Sequence, residues 1–268
     1  MRRDRKIETA SNSASPYKGG ITIKSAQELA AMRQAGAVVA SVIKLLRQTV
    51  APGITTRELD HLANKEILSH GGKPTFKGYR GFPATICTSV NEEIVHGIPG
   101  KRVLKEGDII KLDVGATVDG FIGDAAVSLA VGQVSQEALD LMEHTCRSLE
   151  AGIKAAQVGA RIGDISAAVQ AYGEAHGYGV VREFVGHGVG RFLHEDPQVP
   201  NYGPPGRGPL LRPGMCIAIE PMLNAGDWRT KILDDQWTVV TADGRLSAHF
   251  EHTIAITEGG PEVLTAHC

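Results

Sequence analysis

An α+β protein built from two similar halves is what this sequence predicts, and three observations lead there. Helix-like segments precede strand-like segments, and the same order returns in the second half of the chain. Leu104-x-x-Gly107-x-x-Ile110-x-Leu112-Asp113 aligns with Leu211-x-x-Gly214-x-x-Ile217-x-Ile219-Glu220 at an offset of 107. Gly53 and Leu59 match Gly159 and Ile165 at an offset of 106. Two matches at nearly the same offset, in the same order of elements, point to duplication. Each repeated strand ends in a carboxylate.

Composition is consistent with a globular domain. The chain has 268 residues, 28 Lys+Arg against 30 Asp+Glu, and 42% apolar residues, which suits one large soluble core. A net charge of −2 speaks against a dedicated DNA binder. Apolar runs such as Ala37 to Ala40 fall far short of the roughly 18 residues of a membrane span. Cys87, Cys146, Cys216 and Cys268 lie far apart with no Cys-x-x-Cys pair, which excludes a thiolate zinc site and a disulfide framework. With no apolar h-region near the N-terminus, a reducing cytoplasm is the expected compartment.

Residues 1–20 read as a mobile basic tail: Arg2, Arg3, Arg5, Lys6 and Lys18 outweigh Asp4 and Glu8, and no periodicity follows. Its functional reading is an arm that touches an anionic partner. Residues 21–268 are expected to form one domain, with halves at about 21–134 and 135–268. Ser25-Ala26-Gln27-Glu28 is a capping box, and Leu29, Met32, Ala37, Ala40, Ile43 and Leu46 recur at helical spacing up to Pro52-Gly53. Thr55-Thr56-Arg57-Glu58 opens a second helix, which Gly71-Gly72 stops. Strands are expected near Ala84–Val90, Asp108–Val118 and Phe121–Val131. Helices should return near Gln136–Ala156 and Asp164–His176, then strands near Cys216–Leu223, Trp237–Ala242 and Ser247–Thr257.

The chemistry sits on the strands. Asp119-Gly120 signals a two-residue type I′ hairpin turn. With Val118 opposite Phe121, Asp113 lies opposite Ala126 and Asp124 is its diagonal neighbour on the same face, near enough for the two to flank a metal pair. Glu220 follows Ile217-Ala218-Ile219, and Glu251 sits in Ala-His-Phe-Glu-His-Thr-Ile-Ala-Ile, sharing a face with His249 and Thr253. Gly186-His187-Gly188-Val189-Gly190 gives one imidazole close backbone approach and little side-chain cover; His61, His70, His144, His176, His249, His252 and His267 read as ordinary core or surface residues. Four carboxylates in apolar strands repel one another unless cations neutralise them. Four carboxylates and one imidazole balance two divalent cations, an oxygen-rich set that suits Mn, Fe or Co. Hydrolysis is the natural chemistry of such a centre.

The set Asp113, Asp124, His187, Glu220 and Glu251, with spacings 11, 63, 33 and 31, resembles the dinuclear site of the type I methionine aminopeptidases. Asn91-Glu92-x-x-x-His96-Gly97-Ile98-Pro99, Gly186-His187-Gly188-x-Gly190 and Ile219-Glu220-Pro221-Met222 match the same family in order, over about residues 21–266. The resemblance implies a pseudo-two-fold "pita-bread" fold, an antiparallel sheet with helices on its outer face, and two divalent ions (Co, Mn, Fe or Zn). Asp113, Asp124, His187, Glu220 and Glu251 would be the metal ligands, with Asp124 and Glu251 shared. His96, His194 and Glu220 would be catalytic, and Tyr79, Cys87 and Trp237 would line a methionine pocket with His96 and His194. Phe82 departs from the family's usual Tyr, and Phe192-Leu193 departs before His194. The implied substrate is the N-terminal Met of nascent polypeptides with a small second residue. The enzyme would be a cytoplasmic monomer whose tail contacts the ribosome.

Rival readings are a proline-specific peptidase or creatine-type hydrolase on the same fold, a type II methionine aminopeptidase, and a metal-free binding module. About 20 residues precede the first helix, too few for the large N-terminal domain of the first two. The 33-residue step from His187 to Glu220 leaves little room for the type II insertion. Retention of all five ligands and both histidines argues against the binding module.

Overall fold

The computed structural model describes residues 19–266, so the expected tail lies outside the described residues except for Gly19 and Gly20. Among the described residues four α-helices, α1 (Ala26–Thr49), α2 (Thr56–Ser69), α3 (Gln136–Ala155) and α4 (Ile162–Ala175), and one 3-10 turn at Tyr79–Gly81 accompany fifteen strands. The strands are β1 (Lys73–Pro74), β2 (Ile86–Val90), β3 (Glu93–Val95), β4 (Ile109–Val118), β5 (Phe121–Ala130), β6 (Gly179–Val180), β7 (Gly186–Gly188) and β8 (Glu195–Val199). The rest are β9 (Cys216–Ile219), β10 (Met222–Asn224), β11 (Thr230–Ile232), β12 (Val239–Thr241), β13 (Ser247–His249), β14 (Glu251–Thr257) and β15 (Gly260–Val263).

Both expected capping boxes are present. Ser25 and Thr55 accept from the backbone N–H groups of Glu28 and Glu58, whose side chains reach back to the cap residues. Helix α4 starts two residues earlier than expected, because Asp164 sits at the third helical position and accepts from the Arg161 N–H at 2.7 Å. By length and composition α1 could cross a membrane. Its stripe Met32, Ala35, Gly36, Val38, Val39, Val42, Ile43 and Leu46 is buried inside the fold.

The main sheet runs β1-β4-β5-β14-β9-β7-β8, with β2 on β4 and β15 on β14. Pairing between these strands is antiparallel. Alternation along the strands sorts its two faces. Ile110, Leu112, Val114 and Ala116 of β4 join Val39, Ile43, Leu59 and Ile67 of α1 and α2 in one core. Ile217, Ile219, Ile254 and Ile256 join Leu149, Ile165 and Val169 of α3 and α4 in another. Helices therefore cover the same sheet face in both halves, and the residues between these apolar positions, Asp113, Ala218 and Thr253 among them, fall on the other face.

Two expected strands are each split. Cys216–Leu223 breaks at Glu220-Pro221 because proline has no N–H to give the ladder. Opposite it, Ser247–Thr257 breaks at Phe250, whose N–H reaches the Pro221 carbonyl at 3.3 Å. The strand expected at Trp237–Ala242 is only Val239–Thr241, since the Trp237 and Thr238 N–H groups donate to Asp235 Oδ1 at 2.9 and 2.8 Å.

Candidate active site

The Asp119-Gly120 turn has φ of 49° and 77°, both in the left-handed region a type I′ turn requires. It fixes the register expected from sequence: Val118 pairs Phe121, Asp113 pairs Ala126, and Gly115 pairs Asp124. Strand β14 lies on the other side of β5 and pairs Glu251 with Ala126. Asp113 and Glu251 thus flank one alanine on one face, with Asp124 diagonal to Asp113. Gly188 pairs Ile217 between β7 and β9, which sets His187 alongside Ala218 on that face. Glu220 enters from the break after β9.

Asp124, His187 and Glu251 are 4%, 6% and 3% exposed, and one ligand atom from each lies within 4.8 Å of the others, the one such group among the described residues. His187 Nε2 is 3.5 Å from Glu220 Oε1 and 3.9 Å from Asp124 Oδ2. Burial pushes all four carboxyls up, and mutual repulsion adds to it at Asp124, Glu220 and Glu251. The Cys87 thiol, paired across from Asp113, opposes the rise of that carboxyl. His187 Nδ1 donates to the Gly188 carbonyl at 2.9 Å, and burial lowers its pKa to about 4, so Nε2 turns a lone pair toward the carboxylates. Asp113 Oδ1 and Asp124 Oδ1 are buried acceptors without a hydrogen-bond partner. Such unpartnered acceptors beside an imidazole lone pair are what divalent cations fit, and the oxygen-rich donors suit hard or borderline metals.

Two further histidines border the cluster. His96 has φ 62° and follows the Asn91-Glu92 turn, where Asn91 also takes a left-handed φ of 56° and ties itself to Ile109 N and Asp108 at 2.9 Å each. A Cβ at Gly97 would stand 2.2 Å from the Thr88 carbonyl oxygen, so only glycine lets this turn close onto β2. The His96 ring faces Phe184 at 5.5 Å and Trp237 at 6.4 Å, both edge-on, and burial lowers its pKa to about 4. The His194 ring lies 4.3 Å from that of His187, and its Nδ1 is 2.7 Å from the Tyr79 hydroxyl. Burial lowers the His194 pKa to about 2. A neutral ring that accepts at Nδ1 from Tyr79 carries its proton on Nε2.

Tyr79, Phe82, Cys87, Ile98, Leu193 and Trp237 fall in one apolar cluster, with Phe82 edge-on to Trp237 at 5.1 Å. All the residues singled out in the sequence therefore gather around one region. Three participants were not legible there. The Glu195 carboxylate accepts from the Arg191 and Phe192 N–H groups, Thr22 Oγ1 and Lys24 Nζ at 2.9, 3.2, 2.6 and 2.8 Å, which fixes the loop that carries His194. Lys111, fully buried on the Asp113 face of β4, donates to the Asn91 carbonyl at 2.7 Å. His249, read as an ordinary histidine, is 1% exposed, with Nε2 3.8 Å from Glu220 Oε2, and burial lowers its pKa to about 3.

The chain is similar to known proteins over most of its length. Residues 30–258 match metallopeptidase family M24. A methionine aminopeptidase of Clostridium perfringens is 53% identical over 245 residues, spanning 91% of this chain and 98% of that protein. Methionine aminopeptidase 1 of Bacillus subtilis is 54% identical, spanning 91% and 99%. The crystal structure of methionine aminopeptidase from Rickettsia prowazekii superposes with a TM-score of 0.91 at 41% identity, over 92% of this chain and all of that one. Prolidase from Pyrococcus furiosus shares the fold at a TM-score of 0.75 and 21% identity, with 65% of its length covered.

Proposed function

Because this chain belongs to metallopeptidase family M24, we propose that its carboxylate cluster hydrolyses the peptide bond that follows an N-terminal methionine. The substrates are nascent proteins and peptides with a small second residue. One observation carries the reading: four carboxylates and a neutral imidazole, from β4, β5, β7, β14 and the break after β9, gather in one place, with Asp124, His187 and Glu251 buried within ligand-atom reach of one another and Asp113 Oδ1 and Asp124 Oδ1 buried without a hydrogen-bond partner. Asp113, Asp124, His187, Glu220 and Glu251 would hold two divalent ions (Co, Mn, Fe or Zn), with Asp124 and Glu251 shared. Bound there, the ions supply Lewis acidity toward the scissile carbonyl and lower the pKa of water.

The remaining work falls to the chain's own groups. Methionine's side chain packs among Tyr79, Phe82, Cys87 and Trp237, an apolar setting that takes a flexible thioether. The substrate's free amine would lie against the same ligand set with its ions bound, which favours a chain end over an internal amide. His96 orients the amide nitrogen. His194 donates from Nε2 to the developing oxyanion, a donor held in place beforehand by Tyr79. Glu220 accepts the proton of the attacking water and passes it to the leaving amine. The tail, residues 1–18, supplies basic charge for contact with ribosomal RNA, and a cytoplasmic monomer completes the reading.

Peptides beginning Met-Ala, Met-Lys and Ala-Pro, assayed with chelator and with added Mn or Co, test this directly. Metal-dependent release of Met from Met-Ala alone is the expected result. Cleavage of Ala-Pro would turn the reading toward a proline-specific peptidase, and no turnover with any metal would leave a binding module.

A further inference from the structure

His249 ends β13, two residues before Glu251, and its backbone is clamped. Its N–H donates to Ser128 Oγ at 2.9 Å, the Ser128 hydroxyl donates to its carbonyl at 2.8 Å, and it pairs with Met222 across β10. The ring is almost fully enclosed, yet neither Nδ1 nor Nε2 has a hydrogen-bond partner. Buried polar groups are nearly always satisfied, and a leucine or methionine would fill this space without an orphaned N–H. A core role therefore does not account for an imidazole here.

Glu220 accounts for it. The carboxylate lies between two imidazoles, with Oε1 3.5 Å from His187 Nε2 and Oε2 3.8 Å from His249 Nε2. The two rings are not equivalent: His187 spends its Nδ1–H on a backbone carbonyl, whereas both His249 nitrogens are uncommitted. We infer that His249 is a positioning residue whose Nε2–H donates to Glu220 Oε2, fixing the carboxylate's rotation so that Oε1 faces His187 and the remaining carboxylates. Closing the gap to hydrogen-bond length takes a side-chain shift of about 1 Å. The inference rests on the proposed role of Glu220 as metal ligand and proton carrier, since a group with both duties needs its two oxygens distinguished. Hydrogen-bonded partners of this kind change metal affinity or activity by about 10–100-fold.

His249→Leu removes the donor at similar bulk, and His249→Gln keeps an N–H donor without the ring. Three measurements apply to each variant and to the parent protein: calorimetric titration of chelator-treated protein with Mn²⁺ alone, kcat and KM on Met-Ala-Ser at saturating Mn²⁺, and the melting temperature. For His249→Leu, Mn²⁺ affinity and kcat should each fall about tenfold or more, with KM little changed. Its metal-free melting temperature should hold or rise, because an unpaired buried polar group is gone. His249→Gln should recover most of both losses. A His249→Leu protein with parental affinity and kcat overturns the inference, as does a His249→Gln protein as impaired as His249→Leu. If His249→Leu does not fold, His249→Met takes its place under the same criteria. A parent protein that binds Mn²⁺ but releases no Met overturns the proposed function instead, and the titrations still decide the role of His249.

Discussion

His194 offers a test that separates catalysis from metal binding, because its ring stands 4.3 Å from that of His187 and yet, on the proposed reading, only His187 ligates metal. His194→Ala should keep its metal and lose about 10²–10³ in kcat, the range for removing one oxyanion donor, or roughly 2.7–4 kcal/mol. On the same reading the Tyr79 hydroxyl, 2.7 Å from His194 Nδ1, donates to it and so holds the tautomer with its proton on Nε2. Tyr79→Phe removes that single hydrogen bond, with a net value of about 1 kcal/mol, or roughly fivefold in kcat. In the double variant the Tyr79→Phe effect should vanish, because the ring it positions is absent, so the coupling energy should equal the whole of that loss. The assay is steady-state turnover of Met-Ala-Ser at saturating Mn²⁺, with bound metal measured by atomic absorption. KM should move little in all three variants. Additive losses would refute the positioning role of Tyr79, and a His194→Ala protein that sheds metal as His187→Ala should would refute the catalytic role of His194.

Other expectations follow from the same geometry. Asp113→Asn should lower Mn²⁺ affinity and turnover together while circular dichroism stays parental, since an amide cannot offset cationic charge; full metal and full turnover would remove Asp113 from the ligand set. Chelator-treated protein should lose stability as pH rises above about 6.5. Burial holds the four carboxyls above their ordinary values, with Asp113 at about 7, so the folded chain keeps protons that the unfolded chain has already released. Below about 6.5 the buried histidines, whose pKa values are lowered to about 4, 4, 2 and 3 at His96, His187, His194 and His249, act in the opposite sense and offset that slope. A metal-free melting temperature that climbs between pH 6.5 and 8.5 would contradict this, and Mn²⁺ should restore stability at the upper end. Glu195→Gln leaves Lys24 buried without its counter-charge; it should destabilise the fold by about 3–5 kcal/mol in urea titrations and lower kcat through the His194 loop, and an unchanged unfolding midpoint would rule out that anchor.

What this sequence determined by itself rests on local rules. Two capping boxes fixed where α1 and α2 begin, and Asp119-Gly120 fixed the β4–β5 register, because a two-residue turn leaves one pairing and so places Asp113 and Asp124 on one face. The glycines around His187, and carboxylates where strand patterning calls for apolar residues, exposed the ligand candidates through the cost of burying charge. The repeat at an offset of 107 carried the pseudo-two-fold architecture. Tertiary structure decided everything that depends on partners distant in sequence. No local pattern says that Glu195 will be held by Thr22 and Lys24 across more than 170 residues, that the ammonium of Lys111 will end on the Asn91 carbonyl, or that His249 will face Glu220 rather than an ordinary core. Strands of two or three residues, such as β6 and β7, have too few positions to show a period of two, and exist because neighbouring strands complete their hydrogen bonds. The split at Glu220-Pro221 turns a carboxylate that strand alternation alone would place beside its neighbours into one flanked by two imidazoles, a position set by β7 and β13 rather than by any residue next to it.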